Sequence, residues 1–508
     1  MKHAARSTWR SALLAAALGI LCTLGFAPFD AWFAVWPAPT FSLAGLFLLW
    51  RRCTRPRTAA ALGLAWGAGC FLSGTSWVYV SLSQFGGMAA PLAAIATLLF
   101  CLTLAVFPAL AGALFVRWGE RIPPARAALL FAGLWTLTEW LRGTLFTGFP
   151  WLAVGYAQSP PSPLAGWGTV LGVYGVGLIV ALGGSLLGLL VVTGWKRPAI
   201  WLTLFLLLAG GALLRLMPWT QPSGAPLKVA LLQGNVPQNL KWDPNRLALS
   251  VDTYLQLVRS HPADLVVLPE TALPLFFDAV PRDVLRTLTR HGPALLGIAI
   301  ATRNGGYANG AVLLEPTLQV SAYAKRHLVP FGEYAPPGFG WFFRFAKIPM
   351  SDFSAGPARQ APLVLGEQRI AANICYEDIF GEELLPALPD ATLLVNLSNT
   401  AWFGDSLAQP QHLQIARMRA IETGRTILRA TNTGMTAMIA PDGSVAAALP
   451  PFSTAALMVS AQGYRGLTPY ARWGNALALL LAILACVPAL RRPSRNGYAG
   501  QGAFSSAL

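Results

Sequence analysis

The chain has 508 residues, of which 55% are hydrophobic and only 11% charged, with a mean hydropathy of +0.52 and a formal net charge of +16. Soluble domains carry about 25% charged residues, so a wholly soluble protein is excluded and much of the chain belongs in lipid. The positive charge does not mark a nucleic-acid binder: Arg215 to Arg472 holds 21 basic and 18 acidic residues, without a basic stripe interleaved with aromatics.

In chain order, apolar runs dominate the first 217 residues. A membrane-spanning helix needs about 20 apolar residues, and eight segments are candidates: 11–28, 33–50, 59–81, 89–116, 126–145, 167–193, 199–217 and, far downstream, 474–490. Pro37 and Pro39 shorten the second run. Glu139 and Arg142, spaced to pair across a helix end, lie near the end of the fifth. No Lys, Arg, Asp or Glu lies between Arg57 and Arg117, or from Gly143 to Trp195. Fifteen basic residues, from Lys2 to Arg495, collect in alternate loops, while the opposite short loops hold only Arg142. Cytoplasmic loops carry such an excess, which predicts cytoplasmic termini and an outer domain over 218–473. The basic start and apolar run imitate a secretory signal. Leu21 is too bulky for a lipoprotein cleavage site before Cys22, so an uncleaved first span is expected.

After a Pro/Gly linker (Trp219 to Pro226) the pattern changes. Runs rich in Val, Ile and Leu at 228–236, 264–268, 294–301, 311–314, 369–375, 391–397 and 436–439 end at Gly, Pro, Asn or Asp and predict strands. Helical patterns at 246–260, 283–290 and 412–422 lie between several of them, which predicts a layered α/β domain. The domains are therefore read as 1–217 with seven spans, 218–473 outside, 474–490 as the eighth span, and 491–508 as a cytoplasmic tail. The loop 335–357 carries Phe339, Trp341, Phe342, Phe343, Phe345 and Phe353 with Arg344 and Lys347 among them. Rings with basic residues favour a lipid interface, and long loops are often functional lids; the same rings would also suit the domain's own core.

Of six cysteines, Cys22, Cys70, Cys101 and Cys486 fall in spans, Cys53 falls in a cytoplasmic loop, and Cys375 stands alone in the outer domain. It has no disulfide partner there, which leaves a reactive thiol or a buried structural cysteine. Three strand ends each deliver a reactive group: Glu270 after Leu-Val-Val-Leu-Pro, Lys325 after Ser-Ala-Tyr-Ala, and Cys375 after Ala-Ala-Asn-Ile. Sites form at the carboxyl ends of strands in α/β folds. A carboxylate can take the thiol proton, and an ammonium can stabilise the oxyanion formed when a thiolate attacks a carbonyl. Taken singly, each residue also suits an ordinary surface position. The five histidines show no paired ligand spacing, so no metal is expected.

Pro269-Glu270-Thr271, the run from Lys325 to Tyr334 (KRHLVPFGEY) and Ile374-Cys375-Tyr376-Glu377 resemble the Glu–Lys–Cys motifs of the nitrilase superfamily. Flanking segments narrow the resemblance to apolipoprotein N-acyltransferases. They are the runs 233–238 (QGNVPQ), Lys241-Trp242, 401–404 (AWFG), Gln411-His412, 416–420 (ARMRA), 429–432 (RATN), 77–81 (WVYVS), 139–143 (EWLRG), 148–151 (GFPW) and 466–472 (GLTPYAR). The resemblance covers nearly the whole chain. The family pattern has Asp after the asparagine at 399, where this chain has Thr400, so a role for position 400 is left open.

The resemblance implies a multi-pass α-helical membrane domain of about eight spans plus an extramembrane nitrilase-like α-β-β-α sandwich. It implies a monomer in the bacterial inner membrane, with the catalytic domain periplasmic and no cofactor. Cys375 would attack an acyl ester of a phospholipid, with Glu270 as base and Lys325 on the oxyanion, and the acyl chain would pass to the amine of a diacylated apolipoprotein. Glu333 would hold the Lys325 ammonium, with Glu377 and Tyr376 in support. Trp242, Asn309, Trp402 and Trp151 are candidate substrate-binding residues, Trp151 at the lipid entrance. His412 is read as a helix cap, or else a headgroup ligand. Two rivals remain: a membrane-tethered nitrilase-like amidase, and a transporter with an outer binding domain. The amidase leaves the spans and the aromatic loop without a purpose; the transporter predicts ionisable residues in spans, and 58–116 and 143–195 have none.

Overall fold

The computed structural model describes residues 2–29, 35–119, 122–238, 244–302, 305–338 and 352–490. Each of the eight apolar segments contains a helix: α1 Lys2–Thr23, α2 Ala38–Arg51, α3 Pro56–Thr75, α4 Ala90–Trp118, α5 Pro124–Arg142, α6 Gly168–Thr193, α7 Pro198–Arg215 and, after the α/β domain, Ala476–Leu490. Proline opens α3, α5 and α7 and lies in the first turn of α2 and α4, where its missing N–H costs no intrahelical bond. Among the described residues three helices are long and apolar enough to cross a membrane: Ala90–Trp118, Pro163–Thr193 and Pro198–Arg215.

Between α5 and α6 the chain is irregular at the level of the bundle. Non-helical backbone in an apolar setting needs its polar groups satisfied by protein, and Glu139 and Arg142, near the end of α5, do this. The Arg142 guanidinium donates to the Phe149 and Trp151 carbonyls at 2.6 and 2.7 Å, and Glu139 Oε1 accepts from the Val154 N–H at 3.0 Å. The two side chains are 3.7 Å apart and buried. They pair as their spacing predicts, and their main work is to pin this loop.

The domain downstream is built from two six-stranded sheets. The first has the order β12-β1-β2-β3-β4-β5, from β1 Thr220–Gln233, β2 Leu265–Leu268, β3 Ala294–Ala301, β4 Tyr307–Leu314, β5 Val320–Ala324 and β12 Ala455–Gly466. The second has the order β11-β10-β9-β8-β7-β6, from β6 Leu363–Leu365, β7 Gln368–Ile374, β8 Leu393–Ser398, β9 Thr426–Thr431, β10 Ala437–Ile439 and β11 Val445–Ala448. The central pairs β1–β2–β3 and β7–β8–β9 are parallel and the outer pairs antiparallel.

Strand alternation sorts the side chains into three layers. Val229, Leu231 and Val267 of the first sheet meet Ile370, Val395 and Leu428 of the second in a shared core. The opposite face of the first sheet, with Ala230, Leu232 and Val266, packs on Tyr254 and Val258 of α8 (Pro244–Ser260) and Leu288 of α9 (Arg282–Leu288). The opposite face of the second sheet, with Ala371, Leu394 and Ile427, packs on Leu413, Ala416 and Ala420 of α10 (Ala408–Thr423). The result is an α-β-β-α sandwich.

β1 and β12 run antiparallel, with Thr220 opposite Gly466, so the chain enters and leaves the sandwich side by side and returns to the bundle at Ala476. α10 lies between the second sheet and the bundle. Its Gln411 accepts hydrogen bonds from the indoles of Trp77 and Trp151, its Gln414 from the Ala27 N–H, and its Glu422 from the Val173 N–H. The apolar alternation reveals the central strands. It misses β6, β9, β11 and β12, whose sequences are short, polar or carry an arginine, and it shows β5 only by its end at Lys325.

Candidate active site

Four strands bring the reactive groups together. Glu270 stands just beyond β2, Asn309 lies in β4, Lys325 follows β5, and Cys375 follows β7. Gly297 of β3 makes room for the first: a Cβ there would come within 2.5 Å of the Glu270 Cα and 2.6 Å of the Pro269 carbonyl. Gly297→Ala is expected to shift the Glu270 carboxylate and to lower the acyl-transfer rate by ~10²-fold, since small misplacements of reacting groups cost that much. A parental rate in steady-state assays would contradict that placement.

Lys325 is 1% exposed, and its Nζ lies 2.9 Å from both Glu333 oxygens and 3.6 Å from Glu270 Oε1. Burial alone would lower its affinity for a proton. Glu333 and then Glu270 outweigh that, and the ammonium is held well above its ordinary range. Asn309 donates from one amide nitrogen to Glu270 Oε1 at 2.7 Å and to Glu333 Oε1 at 2.8 Å. The second oxygen of Glu270 accepts the Asn399 N–H at 2.8 Å. Asn309, expected to touch substrate, thus holds both carboxylates in register with the lysine.

Cys375 is half-buried and sits at φ 52° between β7 and a 3-10 turn over Cys375–Ile379. A non-glycine residue in that region costs ~1–3 kcal/mol and persists only where its surroundings hold it. Burial pushes the thiol up, and the Glu270 carboxylate pushes it further, against a smaller opposing pull from Lys325. The thiol is therefore protonated at neutral pH, and any reaction at the sulfur would need a base to take its proton. Alkylation of Cys375 is expected to keep accelerating as pH rises past 9, because a raised thiol has not yet ionised there; a rate that levels off below pH 8 would contradict it.

Glu377 is a tie rather than a surface charge. Its Oε2 accepts the Ile374 N–H at 2.7 Å, and its Oε1 accepts from Tyr323 Oη and the Arg326 N–H at 2.8 and 2.7 Å, joining the Cys375 turn to the Lys325 strand end. Burial raises its carboxyl, with Lys325 opposing. Tyr376 donates to the Gly148 carbonyl at 2.9 Å, which joins the same turn to the bundle. Trp151, expected at a lipid entrance, is 2% exposed, and its indole donates to Gln411 at 2.7 Å. Trp402 is half-buried, edge-on to Phe85 at 6.1 Å. Trp242 and positions 339–351 of the aromatic loop lie outside the described residues.

His412 corrects the sequence reading. It is 2% exposed, within α10 rather than at its start, and bonded to Asp378 and Arg429. It is neither a cap nor open to a headgroup. The flanking motifs converge here: Asn432 bonds to both polar backbone atoms of Val236 and to Asn399, whose side chain reaches Gln238. Thr400, at the departing position, is buried with its hydroxyl unpartnered.

The facing six-stranded sheets with helices outside define a class, and residues 228–468 match the family model described as carbon-nitrogen hydrolase. Residues 18–186 match the apolipoprotein N-acyltransferase N-terminal domain. The chain is 47% identical over 481 residues to the apolipoprotein N-acyltransferase of Nitrosomonas europaea, covering 92% of this chain and 95% of the relative. Its likeness to the enzymes so named of Ralstonia nicotianae (46% identity, 96% of this chain and 95% of the relative) and Chromobacterium violaceum (45% identity, 95% of each) is as extensive. The chain belongs to the apolipoprotein N-acyltransferase family.

Proposed function

We propose that this N-acyltransferase moves an acyl chain from a phospholipid, through a thioester on Cys375, to the α-amino group of the N-terminal diacylglyceryl-cysteine of an apolipoprotein, the last step of lipoprotein maturation. The observation that carries this reading is the buried Glu270–Asn309–Glu333–Lys325 cluster, whose charges push and pull on the Cys375 thiol. Glu270 takes the thiol proton as sulfur attacks the ester carbonyl, and Lys325 neutralises the oxyanion. Collapse breaks the ester C–O bond, and the lysophospholipid oxygen leaves with the proton from Glu270. The free amine then attacks the thioester, Glu270 takes a proton from nitrogen, and the amide forms as the thiolate departs and is reprotonated. No redox partner is required.

The test uses phospholipid radiolabelled in its acyl chains, followed by a diacylated lipopeptide. Label is expected first on Cys375 and then on the peptide. Release of labelled fatty acid without transfer would favour an amidase-like hydrolase instead.

The eight helices are read as eight spans, with 1–217 and 474–490 in the inner membrane, the 218–473 domain periplasmic, and both termini and the 491–508 tail cytoplasmic. The basic loops support this orientation. In a Cys375→Ala background, a membrane-impermeant thiol reagent should label Asp283→Cys in intact spheroplasts and Cys53 only after permeabilisation. The reverse pattern would overturn the orientation.

A further inference from the structure

Behind Cys375 lies a buried cluster that the reaction as written does not use. Asp378, His412 and Arg429 come from the Cys375 turn, α10 and β9, and each is 2% exposed or less. His412 Nε2 lies 2.5 Å from Asp378 Oδ1, and His412 Nδ1 lies 2.7 Å from an Arg429 amino nitrogen. A guanidinium only donates hydrogen bonds, so Nδ1 must be the acceptor. The ring is then neutral, with its one proton on Nε2 facing Asp378. Burial and the Arg429 charge both lower the affinity of this histidine for a second proton.

The cluster closes on the nucleophile. Its link to the cysteine runs through Arg429 and Asn396. Asn396 donates to the Cys375 carbonyl at 3.3 Å, and its side-chain oxygen accepts from Arg429 at 2.9 Å. A second Arg429 contact, 2.9 Å to Asp378 Oδ2, completes the ring of bonds and balances the carboxylate's charge. On its other side the His412 ring packs 5.5 Å from that of Trp151. Cys375, at φ 52°, is thereby held at its carbonyl by Asn396 and, behind it, by Arg429, which bears on a neutral histidine wedged between an ion pair and the bundle.

We propose that His412 is a positioning residue for acyl transfer: fixed between Asp378 of the Cys375 turn and Arg429, it keeps in place the Arg429–Asn396 chain that ends on the Cys375 carbonyl, so that the left-handed peptide keeps sulfur aimed at the Glu270–Lys325 side. It exchanges no proton with substrate. This rests on the thioester reading above.

Full-length His412→Gln, His412→Phe and Asp378→Asn proteins should be compared with the parent for hydroxylamine-labile acyl mass after rapid mixing with phospholipid, and for KM and kcat in transfer to a diacylated lipopeptide. His412→Phe is expected to slow thioester formation and kcat by ~10²-fold with KM for phospholipid within about two-fold. His412→Gln keeps an N–H near the Nε2 position and should recover most of the loss. Asp378→Asn keeps the shape and removes the charge that orients the ring, so it should lose activity in the same kcat-only manner; it also serves as the reading if His412→Phe fails to fold. Parental thioester formation in a folded His412→Phe or Asp378→Asn protein would overturn the proposal, as would a loss carried by KM. A parent without labile acyl mass would instead refute the thioester reading itself.

Discussion

Glu270→Gln is expected to lower Cys375 acylation by ~10³-fold, within the range a positioned general base supplies, while leaving the fold intact. The substitution preserves shape, and the amide oxygen can still accept from Asn309 or the Asn399 N–H. What disappears is the group proposed to take the thiol proton. The same change should make the resting thiol ionise more readily, because the Glu270 carboxylate is among the causes that push it up. An ultraviolet thiolate titration should therefore shift to lower pH in the variant whose turnover has collapsed. The opposite signs separate a base from a charge that merely perturbs its neighbour. A variant that keeps its acylation rate, or whose thiol titrates higher than the parent's, would remove Glu270 from its role.

Glu333→Ala should carry the second large effect. Lys325 is fully buried against two carboxylates, and Glu333 provides the shorter contacts, 2.9 Å against 3.6 Å for Glu270. Removing one partner of a buried ion pair costs ~3–5 kcal/mol, because the remaining charge stays out of water. The ammonium would turn to Glu270 and bind the oxygen proposed to accept the thiol proton, while Asn309 loses one of its two acceptors. The expected result is a fall in acylation of ~10²–10³-fold, the usual effect of losing one oxyanion stabiliser, together with a thermal midpoint lower by several degrees. Glu333→Gln, which keeps an oxygen for the Lys325 and Asn309 donors, should recover part of the stability. Parental rate and midpoint in Glu333→Ala would show that Glu270 alone suffices for Lys325.

How much of this was legible beforehand depended on how each residue is held. Glu270 and Cys375 end apolar runs that alternate between two buried faces, and Lys325 follows a shorter strand; such ends are readable because a reactive side chain interrupts a β-pattern. Asn309 stands out in the sequence only as a candidate for substrate binding, with nothing to show that it bridges Glu270 and Glu333. Its two carboxylate partners come from separate loops, and only the fold makes one amide a bridge between them. Glu377 and Tyr376 were named as support from their place beside the cysteine, while their partners Arg326, Tyr323 and Gly148 lie 50 residues or more away in sequence.

Asp378, His412 and Arg429 are not legible as a cluster: His412 and the run 429–432 stand out in the sequence, but nothing local joins them to each other or to Asp378. Arg429 is a charge inside the run Thr426–Thr431, a strand buried at every position. A buried arginine in such a strand requires a carboxylate or carbonyl from elsewhere, and here Asp378 supplies it. The bundle shows the converse. Glu139 and Arg142 were read as a pair because their spacing is local, but their work on Phe149, Trp151 and Val154 depends on a loop whose path no periodicity encodes.

The central claim is that Cys375 carries the acyl group. The most direct test is intact-mass analysis of the full-length protein after incubation with phospholipid, alongside Cys375→Ala. The parent is expected to gain one acyl chain that hydroxylamine removes and that a diacylated lipopeptide discharges, with no such gain in the variant. A parent that turns over without ever bearing labile acyl mass, or a Cys375→Ala protein that acquires the same adduct, would contradict it.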